Sequence, residues 1–229
     1  SGTGKKKRRV PKARVPNETH HVDAEFSHSR NRHARNLLAS ASADTTVKLW
    51  DLSRPMSGTS SSALRSFSAH TDKVQSVAWQ VGAPGGSSGT ENPAVLLSGS
   101  YDKTIRVFDA RMAEQAVVAR IGADVEAVRW NGWKEHSVLV ALESGIVQGF
   151  DVRALTPSGT DAALYTLVAH DGACTSLDIS PHIPGCLLTA GTDRQVKIWN
   201  VDSDGDKPRS ISRVSARARG IGTLFTPSF

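Results

Sequence analysis

The sequence is poor in cysteine and has no long apolar run. Its two cysteines, Cys174 and Cys186, are too few for a disulfide framework, so we expect small buried thiols in a reducing compartment. No stretch approaches the roughly 18 apolar residues of a membrane-spanning helix. The basic residues near the start are not followed by the apolar stretch of a secretory signal. The composition favours a globular chain with many loops.

Positive charge is concentrated near the start of the chain. Lys and Arg number 28 against 22 Asp and Glu, and removing seven basic residues of 1–16 leaves 21 against 22. Those seven are Lys5, Lys6, Lys7, Arg8, Arg9, Lys12 and Arg14. We expect residues 1–19 to be a basic flexible linker or tail. It is either a solvated segment, a nuclear import signal or an RNA-phosphate contact.

One segment of alternating apolar and polar residues recurs four times. Each copy has a turn in its middle and ends on an aromatic residue followed by Asp or Asn. The copies are LLASASADTTVKLWD (37–51), LLSGSYDKTIRVFD (96–109), VLVALESGIVQGFD (138–151) and LLTAGTDRQVKIWN (187–200). Period-two alternation around a turn predicts a hairpin. The aromatic anchors lie 58, 42 and 49 residues apart, which matches the period of about 40–45 residues of a propeller blade plus loop insertions.

Each hairpin is flanked by further strand-like segments, such as 73–79 before the second copy and 115–121 after it. Four strands per unit is the sheet of a β-propeller blade. We therefore predict an all-β WD-repeat β-propeller over 20–229, with about four blades plus the first strand of a fifth, forming an incomplete propeller. The predicted blades lie near 20–69, 70–121, 122–169 and 170–215, with a partial blade at 216–229. Because an open arc exposes sheet edges, we expect this segment alone to aggregate or to be partly unfolded.

Three of the repeats share four residues at fixed spacing. A histidine precedes each hairpin, a hydroxyl lies ten residues before the aromatic anchor, and an aspartate lies six residues before it. The sets are His21, Ser40, Asp44 and Trp50; His70, Ser98, Asp102 and Phe108; and His170, Thr189, Asp193 and Trp199.

These residue types would also suit a hydrolase triad, with Ser40 as nucleophile, His21 as base and Asp44 as its orienting group. An active site is usually built once, whereas this set is repeated, and there is no nucleophile elbow or Gly-rich oxyanion segment. We predict no catalytic residues and a structural hydrogen-bond network in each of three blades. Because Phe108 cannot donate a hydrogen bond, the network of the second blade should be shorter.

The third repeat lacks this set. It has no histidine, Val140 replaces the hydroxyl and Ser144 replaces the aspartate. We expect this blade to rest on apolar packing alone, through Val125, Val128, Trp130, Leu139 and Phe150.

The first repeat departs in another way. Glu25, His28 and Arg30 stand where the second repeat has apolar residues, and unpaired buried charge is very costly. Either residues 24–35 do not form a regular strand, or the recorded sequence is abnormal there.

The order of these motifs resembles the periodic tryptophan protein 1 family of eukaryotic nuclear WD-repeat proteins. The resemblance rests on the Lys-rich run, HHVDA (20–24), the first two hairpins, RWN (129–131), FDVR (150–153), the fourth hairpin and GTLF (222–225). It covers roughly residues 5–225. It implies a nuclear and nucleolar scaffold without catalysis, whose partners are ribosome assembly factors and the pre-ribosomal particle of the large subunit. It also implies further blades before and after this segment.

Two other interpretations stay open. FDAR (108–111) and FDVR (150–153) approximate the tetrapeptide of cullin-ligase substrate receptors, in which Arg111 and Arg153 would meet the adaptor. The second open interpretation is a propeller that binds chromatin or histones. The histidines near residue 28 lack the cysteine or acidic partners of a zinc site, and no phosphate-cradling glycine loop precedes a helix. We therefore predict no metal, no cofactor, no small-molecule substrate and no membrane contact.

Overall fold

The computed structural model describes residues 20–54, 63–68, 70–81, 94–112, 116–156, 163–201 and 208–215. These residues form sixteen strands in four antiparallel sheets and one turn of 3-10 helix. The predicted basic linker and the partial fifth blade at 216–229 lie outside the described residues, as do most of the long loops between blades.

Each sheet has four strands in chain order. Blade 1 contains β1 (Glu25–Arg30), β2 (Leu37–Ser42), β3 (Val47–Asp51) and β4 (Arg65–Phe67). Blade 2 contains β5 (Val74–Trp79), β6 (Val95–Ser100), β7 (Thr104–Asp109) and β8 (Ala116–Arg120). Blade 3 contains β9 (Val125–Trp130), β10 (Ser137–Leu142), β11 (Ile146–Asp151) and β12 (Ala163–Val168). Blade 4 contains β13 (Cys174–Ile179), β14 (Cys186–Gly191), β15 (Gln195–Asn200) and β16 (Arg209–Ser215).

The recurring segments form the central hairpin of each blade. Ser40 pairs with Lys48 in blade 1 and Ser98 with Arg106 in blade 2. The inner strands β1, β5, β9 and β13 pack in succession, so the blades follow one another in an open arc. The predicted fold class, an all-β WD-type propeller of about four blades that does not close, is confirmed.

The hydrophobic core lies between the blades. Val74, Val77 and Trp79 on the inner strand of blade 2 pack against Ala39 and Leu49 of blade 1. Equivalent clusters join blade 2 to blade 3 and blade 3 to blade 4. Successive strand residues point to opposite faces, so each blade contributes one face to the cluster before it and the other to the cluster after it.

The position of β1 explains why this inner strand carries Glu25, His28 and Arg30. Residues 25–30 form a strand paired with β2, with one bulge between Glu25 and Ser27, so the alternative of an irregular segment, one of the two left open for residues 24–35, does not hold for β1. Glu25, His28 and Arg30 are exposed, because no blade among the described residues covers this face of blade 1. The opposite face meets blade 2, where Ser29 accepts hydrogen bonds from Trp79.

The two cysteines are free and buried. Burial raises the pKa of the Cys174 thiol to about 12, so this sulfur stays protonated at neutral pH and acts as a small apolar group.

Candidate functional site

The four residues that recur in blade 1 form one hydrogen-bonded chain. His21 precedes β1, Ser40 lies on β2, Asp44 lies in the hairpin turn and Trp50 lies on β3. Nδ1 of His21 is 2.9 Å from Asp44 Oδ2, and Nε2 is 2.7 Å from Ser40 Oγ. The indole Nε1 of Trp50 donates to Ser40 Oγ at 2.7 Å.

The direction of this chain follows from what each group can do. The Asp44 carboxylate only accepts, so Nδ1 of His21 carries a proton and donates to it, which leaves Nε2 to accept from the Ser40 hydroxyl. The Ser40 hydroxyl accepts from Trp50 and donates to His21. Every side chain in the network therefore has a partner of the right kind, which buried polar groups require.

Blade 2 contains a shorter version. Nδ1 of His70 is 2.9 Å from Asp102 Oδ2, and Nε2 is 2.8 Å from Ser98 Oγ. Phe108 stands at the position of Trp50 and has no N–H, so the chain ends at the serine.

Blade 4 contains the full version again. Nδ1 of His170 lies 3.0 Å from Asp193 Oδ1, and Nε2 lies 2.8 Å from Thr189 Oγ1. Trp199 Nε1 donates to Thr189 Oγ1 at 2.9 Å. The structure thus brings together the sequence-selected residues of all three sets.

The aspartates also hold the hairpin turns. Asp44 Oδ1 accepts from the backbone N of Thr46 at 3.0 Å, and the residue between them, Thr45, has φ of 70°. Residues other than glycine rarely adopt this left-handed backbone conformation. Blade 3 has no aspartate at this place, and there the left-handed residue is Gly145, with φ of 78°, which adopts it without a side-chain clash.

Burial sets the charge states within the networks. Desolvation lowers the pKa of His70 and His170 below the usual histidine value, although their aspartates pull the other way. Burial alone would raise the pKa of the Asp102 carboxyl, but hydrogen bonds led by those of His70 and Thr104 bring it below its usual range. The pKa of Asp44 is also lowered, against the effect of burial, by its hydrogen bonds. In blade 2, a neutral His70 therefore faces an ionised Asp102.

These sets are unsuited to catalysis. Ser40, Ser98 and Thr189 are at most 2% exposed, and each hydroxyl is hydrogen-bonded to a histidine. A nucleophile must approach the reacting atom to within about 3–3.5 Å, and these oxygens are packed inside the blades. We interpret the three sets as devices that fix the histidine segment and the hairpin turn of each blade.

The expectation that blade 3 rests on apolar packing alone is wrong. Val125, Val128, Leu139 and Phe150 are at most 1% exposed. Trp130, however, donates from Nε1 to the carbonyl of residue 78 at 3.2 Å. Backbone carbonyls of the preceding blade are available acceptors that spacing arguments within one repeat do not consider.

The arginines of the Asp-x-Arg motifs are engaged within their own blades. Arg111 binds both carboxylate oxygens of Asp109, at 2.9 and 2.6 Å, and Arg153 binds those of Asp151, at 3.0 and 2.6 Å. Both guanidinium groups remain largely exposed. These bonds give each arginine a structural role within its own blade. The presence of the motif therefore does not require binding to a ligase adaptor.

A polar cavity between the inner strands was missed by the sequence analysis. It measures about 460 Å3 and is lined by residues of all four blades, including Ser27, Ser76, Glu126 and Thr175. Tyr101 donates to Glu126 at 2.8 Å, and burial raises the pKa of this glutamic acid. No single repeat reveals this cavity, because each blade supplies only one of its walls.

The part of the chain that the structure describes has neither a cluster of metal-binding side chains nor a membrane-spanning helix. There, no three His, Cys, Asp or Glu side chains converge in a way that would hold a metal ion. No described helix has the length and apolar character to cross a membrane.

Comparison with known proteins gives the class of the fold. The model of the family "WD domain, G-beta repeat" matches residues 18–51, 61–109 and 162–200, a little over half of the chain. The chain therefore belongs to the WD-repeat family, as its four-stranded blades and His–Ser–Asp–Trp networks indicate.

Individual relatives narrow this assignment. Periodic tryptophan protein 1 of Saccharomyces cerevisiae is 32% identical over 219 residues, covering 92% of this chain and 35% of the relative. An uncharacterized WD repeat-containing protein of Schizosaccharomyces pombe is 37% identical over 229 residues, covering 100% and 40%. The periodic tryptophan protein 1 homolog of Drosophila melanogaster is 25% identical over 190 residues. The predicted resemblance to the periodic tryptophan protein 1 family is confirmed, and the chain spans less than half the length of these relatives.

Proposed function

We propose that this chain is part of a non-catalytic, protein-binding scaffold that acts in nuclear ribosome biogenesis, in large-subunit assembly and pre-rRNA processing. The observation that carries the proposal is its similarity to periodic tryptophan protein 1 over 92% of its length. Ribosome assembly factors and the pre-ribosomal particle are the proposed partners, and the nucleus and nucleolus the proposed location.

The geometry supports a scaffold rather than an enzyme. The three sets of hydroxyl, imidazole and carboxylate groups are buried and mutually satisfied. What the blades offer to partners is their exposed loops and outer strands, where Leu164 and Val168 are 61% and 72% exposed. Loops and edges on a rigid frame are where repeat proteins usually bind partners.

The basic run of residues 5–14 would serve this function as an import signal or as a contact to RNA phosphates. It holds seven cations and no aromatic side chain, so base stacking is not expected from it. Salt-dependent, sequence-independent contact is the form of binding that such a run supports.

Depletion of the full-length protein in its own cells tests the proposal. We expect large-subunit pre-rRNAs to accumulate, and the wild-type gene to restore processing. The gene carrying R111A and R153A should restore it equally, because the guanidinium groups of the two arginines bind aspartates of their own blades. Unchanged pre-rRNA after depletion would refute the function, and failed rescue by the double variant with recovery of ligase adaptors would favour the substrate-receptor interpretation.

A further inference from the structure

The turn between β1 and β2 concentrates positive charge on the described surface. Arg30 ends β1, and Arg32 and Arg35 lie in the turn; all three are exposed. Together with Asn31 they wall a cavity of about 490 Å3. We call Arg30, Arg32 and Arg35 the arginine turn.

The backbone of the arginine turn is held firmly. Asn31, 2% exposed, accepts through Oδ1 from the backbone N of His33 and of Ala34, each at 2.9 Å. Arg30 Nε donates to the carbonyl of Arg35 at 2.9 Å. A ligand therefore meets a preorganised site and does not have to order the loop on binding.

Turns of this kind form without any arginine in two other blades. In blade 3, Asn131 Oδ1 likewise accepts from the backbone N of Trp133, at 3.0 Å. The backbone N of Asn131 donates to the carbonyl of Ser137 and so closes the turn. In blade 4, Ser180 Oγ caps the same turn. Neither of those turns contains an arginine, so the folding of the turn does not account for the guanidinium groups of Arg32 and Arg35.

Within the described part of the chain these three guanidinium groups form no ion pair, although the Asp178 carboxylate lines a small neighbouring cavity together with Arg32. No carboxylate there forms an ion pair with Arg30, Arg32 or Arg35, whereas Arg129 pairs with Asp178 at 3.8 Å. Like charges around one cavity repel each other, and an anion placed among them relieves that repulsion. Guanidinium groups bind phosphate through two parallel N–H donors, which favours arginine at phosphate sites.

An aromatic residue lies beside this cationic cavity. Arg32 also lines a small second cavity whose walls include Trp130 and Trp133, and Trp133 is partly exposed. Phosphate-binding arginines next to an aromatic ring suit a nucleotide whose base is unpaired and free to stack. An acidic peptide would match the charge alone.

We propose that the arginine turn binds the phosphate backbone of single-stranded RNA, with Trp133 as the neighbouring stacking surface. The proposal rests on the residues of blade 1 and blade 3 and does not depend on a role in ribosome assembly. Binding by this turn would be separate from any contact made by residues 5–14.

The test measures RNA binding by the full-length protein as a function of salt. A fluorescent 20-nucleotide single-stranded RNA is titrated by anisotropy between 50 and 300 mM KCl. Each neutralised phosphate contributes about 0.7 to the slope of log affinity against log salt for single strands. R32Q/R35Q should therefore lower the slope by about 1.4 and weaken binding about 25-fold at 0.1 M salt. The control R120Q/R194Q removes two exposed arginines that lie outside both the arginine turn and the Trp133 segment, and it should leave the slope unchanged.

Each result decides the proposal. An unchanged slope in R32Q/R35Q, or an equal loss in R120Q/R194Q, would overturn it. Polyglutamate that competes as well as RNA at equal charge would overturn it in favour of an acidic protein partner, and a duplex DNA probe that binds as tightly as the RNA would overturn the single-strand assignment. Should R32Q/R35Q lose its thermal transition, R32Q alone carries the test with an expected slope change of about 0.7.

Discussion

Asp44→Ala removes the centre of the blade 1 network and shows whether the network stabilises the blade. The Asp44 carboxylate accepts from His21 Nδ1 at 2.9 Å, from the backbone N of Val22 at 3.0 Å, and from the backbone N and Oγ1 of Thr46 at 3.0 and 2.6 Å. Its side chain is 1% exposed. Water therefore has little room to replace these acceptor oxygens.

The expected loss follows from which donors can find another acceptor. Thr46 Oγ1 lies 3.2 Å from His21 Nδ1, so the imidazole keeps a neighbour. The backbone N–H groups of Val22 and Thr46 lose the carboxylate, at about 1–3 kcal/mol for each buried donor left unsatisfied. We expect Asp44→Ala to lower the free energy of unfolding by about 3 kcal/mol.

Urea denaturation followed by tryptophan fluorescence measures this loss. The matched control is Ser144→Ala, which truncates the exposed residue at the equivalent place in blade 3 and should change the free energy of unfolding by less than about 0.5 kcal/mol. The comparison uses unfolding midpoints at equal slope with urea concentration. Equal midpoints for the two variants would refute the structural role of the network.

Three further predictions concern the same blades. Because His70 has a lowered pKa when folded, the unfolded chain binds more protons below about pH 6.5, and the lowered pKa of Asp102 acts in the same sense below about pH 4. The urea midpoint should therefore fall as the pH is lowered from 7.5 to 5.5, and a flat profile would contradict this. Gly99→Ala would place Cβ 2.5 Å from a valine methyl of blade 3 and should cost about 1–3 kcal/mol, measured by the same denaturation. Trp199→Phe removes the N–H from which Thr189 accepts a hydrogen bond, and it should lower the free energy of unfolding by about 1 kcal/mol beyond the loss of ring packing. If Trp199→Phe costs the same in a Thr189→Val background as in the wild type, the result would argue against this bond.

The repeat pattern was sufficient to predict the fold class, because alternation in strands is a local property of the sequence. The same reasoning selected His21, Ser40 and Asp44 from one repeat and their counterparts from two others. Repetition at fixed spacing indicated a structural network, and the hydrogen-bond distances show how it is connected.

What the sequence did not predict depends on contacts between repeats. In the repeat alignment Arg30 corresponds to Trp79, which is buried because it packs against blade 1. No described blade covers Arg30 in the same way, so the alignment did not predict that Arg30 is exposed. The hydrogen bond from Trp130 to the carbonyl of residue 78 joins two blades, and the cavity beside Glu126 has walls from four. A period read along one chain gives no information on which groups meet across these interfaces.

The differences among the four blades in this network follow one physical rule. A buried donor that loses its acceptor is costly, whereas an acceptor that loses one donor costs less, and replacing both partners by apolar groups is nearly neutral. Blade 2 loses only the terminal donor, since Phe108 replaces a tryptophan and Ser98 remains bonded to its histidine. Blade 3 lacks the histidine, the hydroxyl and the aspartate together, and Gly145 then supplies the turn conformation. Removal of a middle member alone is the case that none of the four blades shows, which is why Asp44→Ala should be more damaging than the natural absence of the whole set from blade 3.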